Sequence, residues 1–193
     1  MQNIKAATSR CFWQGALIRL RPFRSEDVDA ICEAEQDSES IRVFEPGIYP
    51  MRSADMVRQA LEHDLKHAPA NVLSFAVEAL TTGELVGTAN IRDWQNRQGT
   101  FGFAIRIYQA HQRKGYAKEA ARILLRYGFY ELRCQKANSA TIAFNEASIH
   151  LHRVLGFQEE GRLRRNCYTD GQYWDEILFG LTREEFDKLE QES

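Results

Sequence analysis

The chain has 193 residues, 44% hydrophobic and 27% charged, the make-up of an ordinary globular domain. Its 25 basic and 27 acidic residues leave a net charge of −2, which argues against a dedicated nucleic-acid binder, and no stretch is apolar enough for a membrane-spanning helix. Cys11, Cys32, Cys134 and Cys167 are scattered without a CxxC pair, so no metal is expected; with no apolar signal core at the start, a reduced, cytoplasmic protein is.

Residues 1–14 read as a loose lead-in. "ALIRLRPF" alternates apolar and charged residues, the pattern of a half-buried strand. Ser25 stands where it would cap a helix over "EDVDAICEAEQ", whose first turn is acidic. "DSESIRVFEPGIYPMR", with two prolines and a glycine, reads as an adaptable loop. Ser53 then caps a second helix, "ADMVRQALEHDLKH", ending near Pro69. "VLSFAVEAL" and "LVGTANIRDW" form a hairpin through "TTGE", and "TFGFAIRIY" is a third strand of this region. A helix runs from about Tyr116 to Leu132, and "KANSATIAF" is strand-like. "NEASIHLHRVLG" is a short helix with Asn145 as cap and Gly156 as stop. A hairpin turning at Asp170-Gly171 closes the fold. The order β-α-α-β-β-β-α-β-α-β-β gives one domain of the α+β (mixed α/β) class over residues 15–184, with 185–193 as a tail.

The strand-to-helix junction "QAHQRKGYAK" carries the chemistry. A helix start leaves backbone N–H groups without intrahelical partners, and its dipole favours an anion. Gly115 lets the backbone approach closely, Ala117 is small, and Gln112, Arg113, Lys114 and Lys118 add donors. Basic residues at a helix N-terminus oppose the dipole, which itself points to an anion there. A solvated basic helix start is the plainer reading of the same residues. Neither the Walker pattern nor GxGxxG is present.

Gln112-Arg113-Lys114-Gly115-Tyr116-Ala117 resembles the [QR]-x-x-G-x-[GA] acetyl-CoA motif of the GNAT N-acetyltransferases. Asn145 to Ser148 followed by "IHLHRVLGF" resembles that family's N-x-x-S…GF segment. The opening "IRLRPFRSEDVDAI" and the closing "EEGRLRRNCYTDGQYWDEILFGL" resemble the branch of the ribosomal-protein alanine N-acetyltransferases. The likeness spans about residues 17–182.

The resemblance implies a sheet splayed between the fourth and fifth strands, with the pantetheine arm of acetyl-CoA lying in the gap. Ile105, Arg106 and Ile107 would offer main-chain groups to that arm. The diphosphate would sit on the amides of residues 113–118, with Tyr116 and Lys118 among them, and Asn145 would reach the arm from the far side. Asn145 is equally a plain helix cap. An amine would attack the thioester directly in a ternary complex, which asks for the amine to be placed, its proton taken and the sulfur helped to leave; a thiol near pKa ~8.5 is already a fair leaving group, so an acid there helps modestly. Ser148 matches the serine that the branch uses there. His152 stands where many members carry a tyrosine, and shares a helix face with Ser148. Ser148 also reads as a capping-region hydroxyl, and His152 as a histidine packed on the sheet. For the base, Glu45, Asp93, His111 and Asp175 all remain open. The branch's glutamate in the last hairpin falls near Cys167, a departure that weakens the case for a ribosomal-protein substrate.

The acceptor is expected to be a primary amine, either a protein N-terminus or a small molecule. An α-amino group near pKa ~8 is partly neutral at pH 7 and asks less of a base than an amine near ~10.4. Glu45, Trp94 and Tyr173 are candidates to line its cleft, though strand aromatics are more often core. A polyamine acceptor and a non-catalytic acyl-CoA-binding module are the alternatives. Neither nucleic acid nor membrane is expected as a partner, and a homodimer is left open.

Overall fold

Adjacent residues of one strand feed two separate cores. In β2 (Leu73–Ala79), Val77 lies in the larger core, while Ala76 joins a smaller one with Leu85 and Tyr108. Side chains alternate faces along a strand, so a sheet covered on both sides reads this way. The structure, a computed structural model, describes residues 11–44, 50–67 and 69–192. The other strands are β1 (Ile18–Arg21), β3 (Leu85–Gln95), β4 (Thr100–Ile107), β5 (Lys136–Ile142), β6 (Gln158–Thr169) and β7 (Gln172–Thr182). They form one seven-stranded sheet in the order β1-β2-β3-β4-β5-β7-β6. Every neighbouring pair is antiparallel except β4 and β5, which are parallel.

The helices are α1 (Asp27–Glu35), α2 (Ser38–Phe44), α3 (Ala54–His67), α4 (Tyr116–Arg126), α5 (Glu146–Val154) and α6 (Arg183–Glu192). Ala120, Ala121, Leu124 and Leu125 of α4 are fully buried on the larger core. Ala30, Ile31 and Ala34 of α1 cover the smaller core on the other face. This is the expected mixed fold, opened between the fourth and fifth strands.

Several local expectations are corrected. Residues 37–52 are not all loop. Asp37 Oδ1 accepts from Ser40 N at 3.0 Å, which caps α2. The breakers Pro46 and Gly47 follow α2 in the sequence and lie outside the described residues. Ser25 does not cap α1 through its side chain. Asp27 does the local work instead, accepting from Arg24 N at 2.7 Å and binding both Arg21 Nη atoms at 2.8 Å. Arg21 Nε also bonds Glu78. Burial opposes both carboxylates, yet the guanidinium bonds hold Asp27 and Glu78 below their ordinary pKa. The helix after Gly115 ends at Arg126, and a π-helical turn follows over Tyr127–Glu131, where Gly128 lies against the Phe101 ring. Trp13, in the segment read as loose, stacks near Phe75 and Tyr127 at 4.7 and 4.6 Å. Residues 183–192, mostly read as tail, form α6, whose Phe186 is buried against Phe129.

Candidate active site

The parallel strands β4 and β5 pair at only three positions: Thr100 with Lys136, Phe101 with Ala137, and Gly102 with Asn138. Beyond them β4 stays on β3 as far as Ile107, opposite Gly87, while β5 follows β7 as far as Ile142, opposite Glu176. Past Gly102 and Asn138 the facing edges have no strand partner among the described residues. Backbone donors and acceptors there are available to an extended ligand that adds as a strand. Ile105 and Ile107 lie on this open stretch of β4, and their side chains pack in the larger core. Arg106 differs: its guanidinium donates to Ala34 O at 2.9 Å and lies over the Tyr108 ring at 5.6 Å. Its main chain lies on the open stretch of β4.

At the open end of β4 the chain turns into α4. Gly115 adopts φ +84° and no side chain caps the helix. The amides of Tyr116, Ala117 and Lys118 therefore face outward without intrahelical carbonyls. Gln112, Arg113, Lys114 and Lys118 are exposed around them. Gln112 Nε2 donates to Ile107 O at 3.1 Å, which ties the turn to the strand. An uncapped helix start, a left-handed glycine and three cations fit a diphosphate, and the unpaired strand edge beside them fits a pantetheine arm.

Helix α5 stands on the other side of the gap. Asn145 Oδ1 accepts from Ser148 N at 3.0 Å, so it caps α5, and its Nδ2 donates to Val43 O at 2.9 Å. Asn145 thus links α5 to the end of α2. His152 is only 5% exposed and stacks on Phe179, with centroids 4.6 Å apart and planes at 11°. Its Nδ1 lies 2.7 Å from Ser148 O, which can only accept, so the neutral ring carries its proton there. Nε2 then accepts from the Ser139 hydroxyl at 2.8 Å. Burial lowers the pKa of His152 below the ordinary value, against the Ser148 carbonyl that raises it. The Ser148 hydroxyl is half-buried and 3.4 Å from Nδ1.

The remaining candidates are dispersed. Glu45 lies outside the described residues. Trp94 packs on the larger core next to Gln95, which pairs with Thr100, and so stands at the closed end of β4. The hairpin register puts it there. Tyr173 is exposed near the tip of the β6–β7 hairpin, 4.9 Å from Tyr168 and under the Arg165 guanidinium at 4.8 Å. That tip is joined to α2 by Arg42 and Asp170 at 3.1 Å. Asp93 is exposed beside Arg92, His111 lines a cleft with Arg21 and Glu84, and Asp175 accepts from Arg165 N at 2.9 Å. Cys134 and Cys167 are buried, and burial pushes both thiols up. Among the described residues, no three metal-ligating side chains gather in one place.

The model of the acetyltransferase (GNAT) domain matches residues 18–158. The chain belongs to the GNAT acetyltransferase family. It is an N-acetyltransferase, of a family that uses acetyl-CoA. Over 91% of its length it is 36% identical to the uncharacterized, SPbeta prophage-derived N-acetyltransferase YokL of Bacillus subtilis (strain 168), covering 96% of that protein. It is 27% identical to the spermidine N(1)-acetyltransferase of Escherichia coli (strain K12), over 88% of each chain. The fold superposes on a spermidine N-acetyltransferase from Vibrio cholerae, solved with CoA and spermine, with a TM-score of 0.78 at 22% identity, covering 89% of this chain and 99% of that one.

Two residues of this N-acetyltransferase escape a reading of the sequence. Ser139 bonds His152 across 13 positions, and Glu119 bonds residues 16–18 across 101 to 103. No local pattern announces the Glu119 contact. Only for Ser139 is there a signal, a polar side chain alternating onto the face that α5 covers.

Proposed function

We propose that the chain transfers an acetyl group from acetyl-CoA to a primary amine by direct attack in a ternary complex. The observation that carries this is the parting of β4 and β5 after three paired residues, beside the uncapped start of α4. The amides of 113–118, with Arg113, Lys114 and Lys118, bind the diphosphate, and the main chain of 105–107 orients the pantetheine arm. Acetyl-CoA supplies a thioester whose acyl carbon accepts the amine. The C–N bond forms as the C–S bond breaks, the amine's proton leaves to water, and the Ser148 hydroxyl donates a hydrogen bond to the departing thiolate. His152 is a positioning residue: its only ring proton is bonded to the Ser148 carbonyl, and it holds that turn of α5 on Ser139. Asn145 joins the cofactor side to α2, and α2 with Tyr173 borders the amine's approach. An amine with a low pKa asks less of a base than one near ~10.4.

A second reading, a polyamine acceptor, is favoured by the likeness to the Escherichia coli spermidine N(1)-acetyltransferase over most of both chains. A panel of primary amines followed by thiol release tests both. Turnover of an alanine-initiated peptide with none of spermidine supports an α-amine acceptor; the reverse supports the second. Tight CoA binding without thiol release from any amine refutes the enzyme reading and leaves a binding module.

A further inference from the structure

The carboxylate in the first turn of α4 is consumed by a distant part of the chain. Glu119 Oε1 accepts from Ala16 N at 2.7 Å, and Oε2 accepts from Leu17 N and Ile18 N, both at 2.8 Å. Each is a charge-assisted bond, stronger than a neutral one. The segment it holds is shaped for this. Gly15 N donates to Ile18 O at 2.9 Å and Gln14 bridges Arg19, so residues 14–19 make a tight tip leading into β1. A Cβ on Gly15 would collide with the Glu119 carboxylate. The same tip rests on the turn before α4: Leu17 Cδ1 lies 3.2 Å from where a Cβ on Gly115 would stand.

That turn needs outside support. It contains two residues of positive φ, Arg113 at +62° and Gly115 at +84°, and the first is not glycine. Its amides must also face an anion, and an unengaged carboxylate one turn away would repel it. Bonding to three N–H groups directs that charge away.

We propose that Glu119 is a positioning residue for the diphosphate of coenzyme A. By gripping residues 16–18 it holds Leu17 against the Gly115 turn and keeps the first-turn amides clear of its own charge. This rests on the cofactor placement given above.

The test is titration calorimetry of CoA into the full chain, with acetyl-transfer kinetics alongside. Glu119→Gln keeps the shape and removes the charge; its CoA Kd should rise about tenfold or more, and the kinetic loss should fall on KM for acetyl-CoA rather than on kcat. Leu17→Ala keeps all three bonds and should raise Kd about threefold, which carries the test if Glu119→Gln fails to fold. Glu190→Gln breaks the Arg122 pair on the same helix and should lower stability with Kd unchanged. A wild-type Kd in Glu119→Gln overturns the proposal, as does one in Leu17→Ala should the first variant not fold. Loss of binding in Gly115→Asp alone overturns only the role of Glu119; a wild-type Kd in Gly115→Asp overturns the cofactor placement itself and the proposal with it.

Discussion

Replacing His152 with phenylalanine separates packing from proton transfer. The new ring can keep the stack on Phe179, but the bonds to Ser148 O at 2.7 Å and Ser139 Oγ at 2.8 Å are lost. Two net hydrogen bonds at about 1 kcal/mol each, with the Ser139 hydroxyl left without that acceptor, give a loss of about 2–4 kcal/mol. At this chain length 1 kcal/mol moves Tm by about 2–4 °C, so Tm should fall by about 4–16 °C. Below that Tm, kcat should stay within about tenfold of the wild type, because the ring proton is bonded to a carbonyl and burial keeps the imidazole neutral. Ser148→Ala should do the opposite, lowering kcat about 100-fold with little change in Tm. The assays are thermal denaturation and the pH profile of thiol release. A 100-fold loss of kcat in His152→Phe with an unchanged Tm would refute the assignment, since about that factor is what a missing general acid removes.

Gly115→Asp should weaken CoA binding about tenfold or more, measured by calorimetry, while stability falls by only about 1 kcal/mol, since aspartate tolerates positive φ and Leu17 can shift. Acid should unfold the protein through Asp27 and Glu78. Their folded pKa values lie below the unfolded ones, so the stability they contribute is present above about pH 4 and is lost as pH falls through the folded values. Asp27→Asn should lower stability by about 3–5 kcal/mol at neutral pH and flatten the acid limb of Tm against pH. His152 adds a milder slope with the same sign. Its folded pKa is depressed, so its contribution is complete above about pH 6.5 and declines below it, and His152→Phe should remove that slope.

What could be read in advance was whatever is encoded within a few residues of itself. The Asn145 cap, the Gly156 stop and the Asp170-Gly171 turn all appear as expected, because capping and turn chemistry act over a few residues. Nearby breakers misled the reading at α2, where Pro46 and Gly47 masked a helix capped by Asp37. The junction at Gly115 was legible for the same local reason, and so was the family resemblance built on it.

Side-chain roles at the site were not. Ser148 and His152 share a face in any helix, and their spacing leaves open which one donates. The sheet order settles what surrounds them: β7 lies beside β5, so Phe179 and Ser139 meet the imidazole and desolvate it. Trp94 and Tyr173 look alike as strand aromatics, yet pairing register sends one to the closed end of β4 and the other to a hairpin tip. Glu119 reads as an ordinary first-turn acid until the fold brings residues 16–18 against it. Contacts across a hundred residues depend on how strands are ordered in space, and no short stretch of chain carries that information.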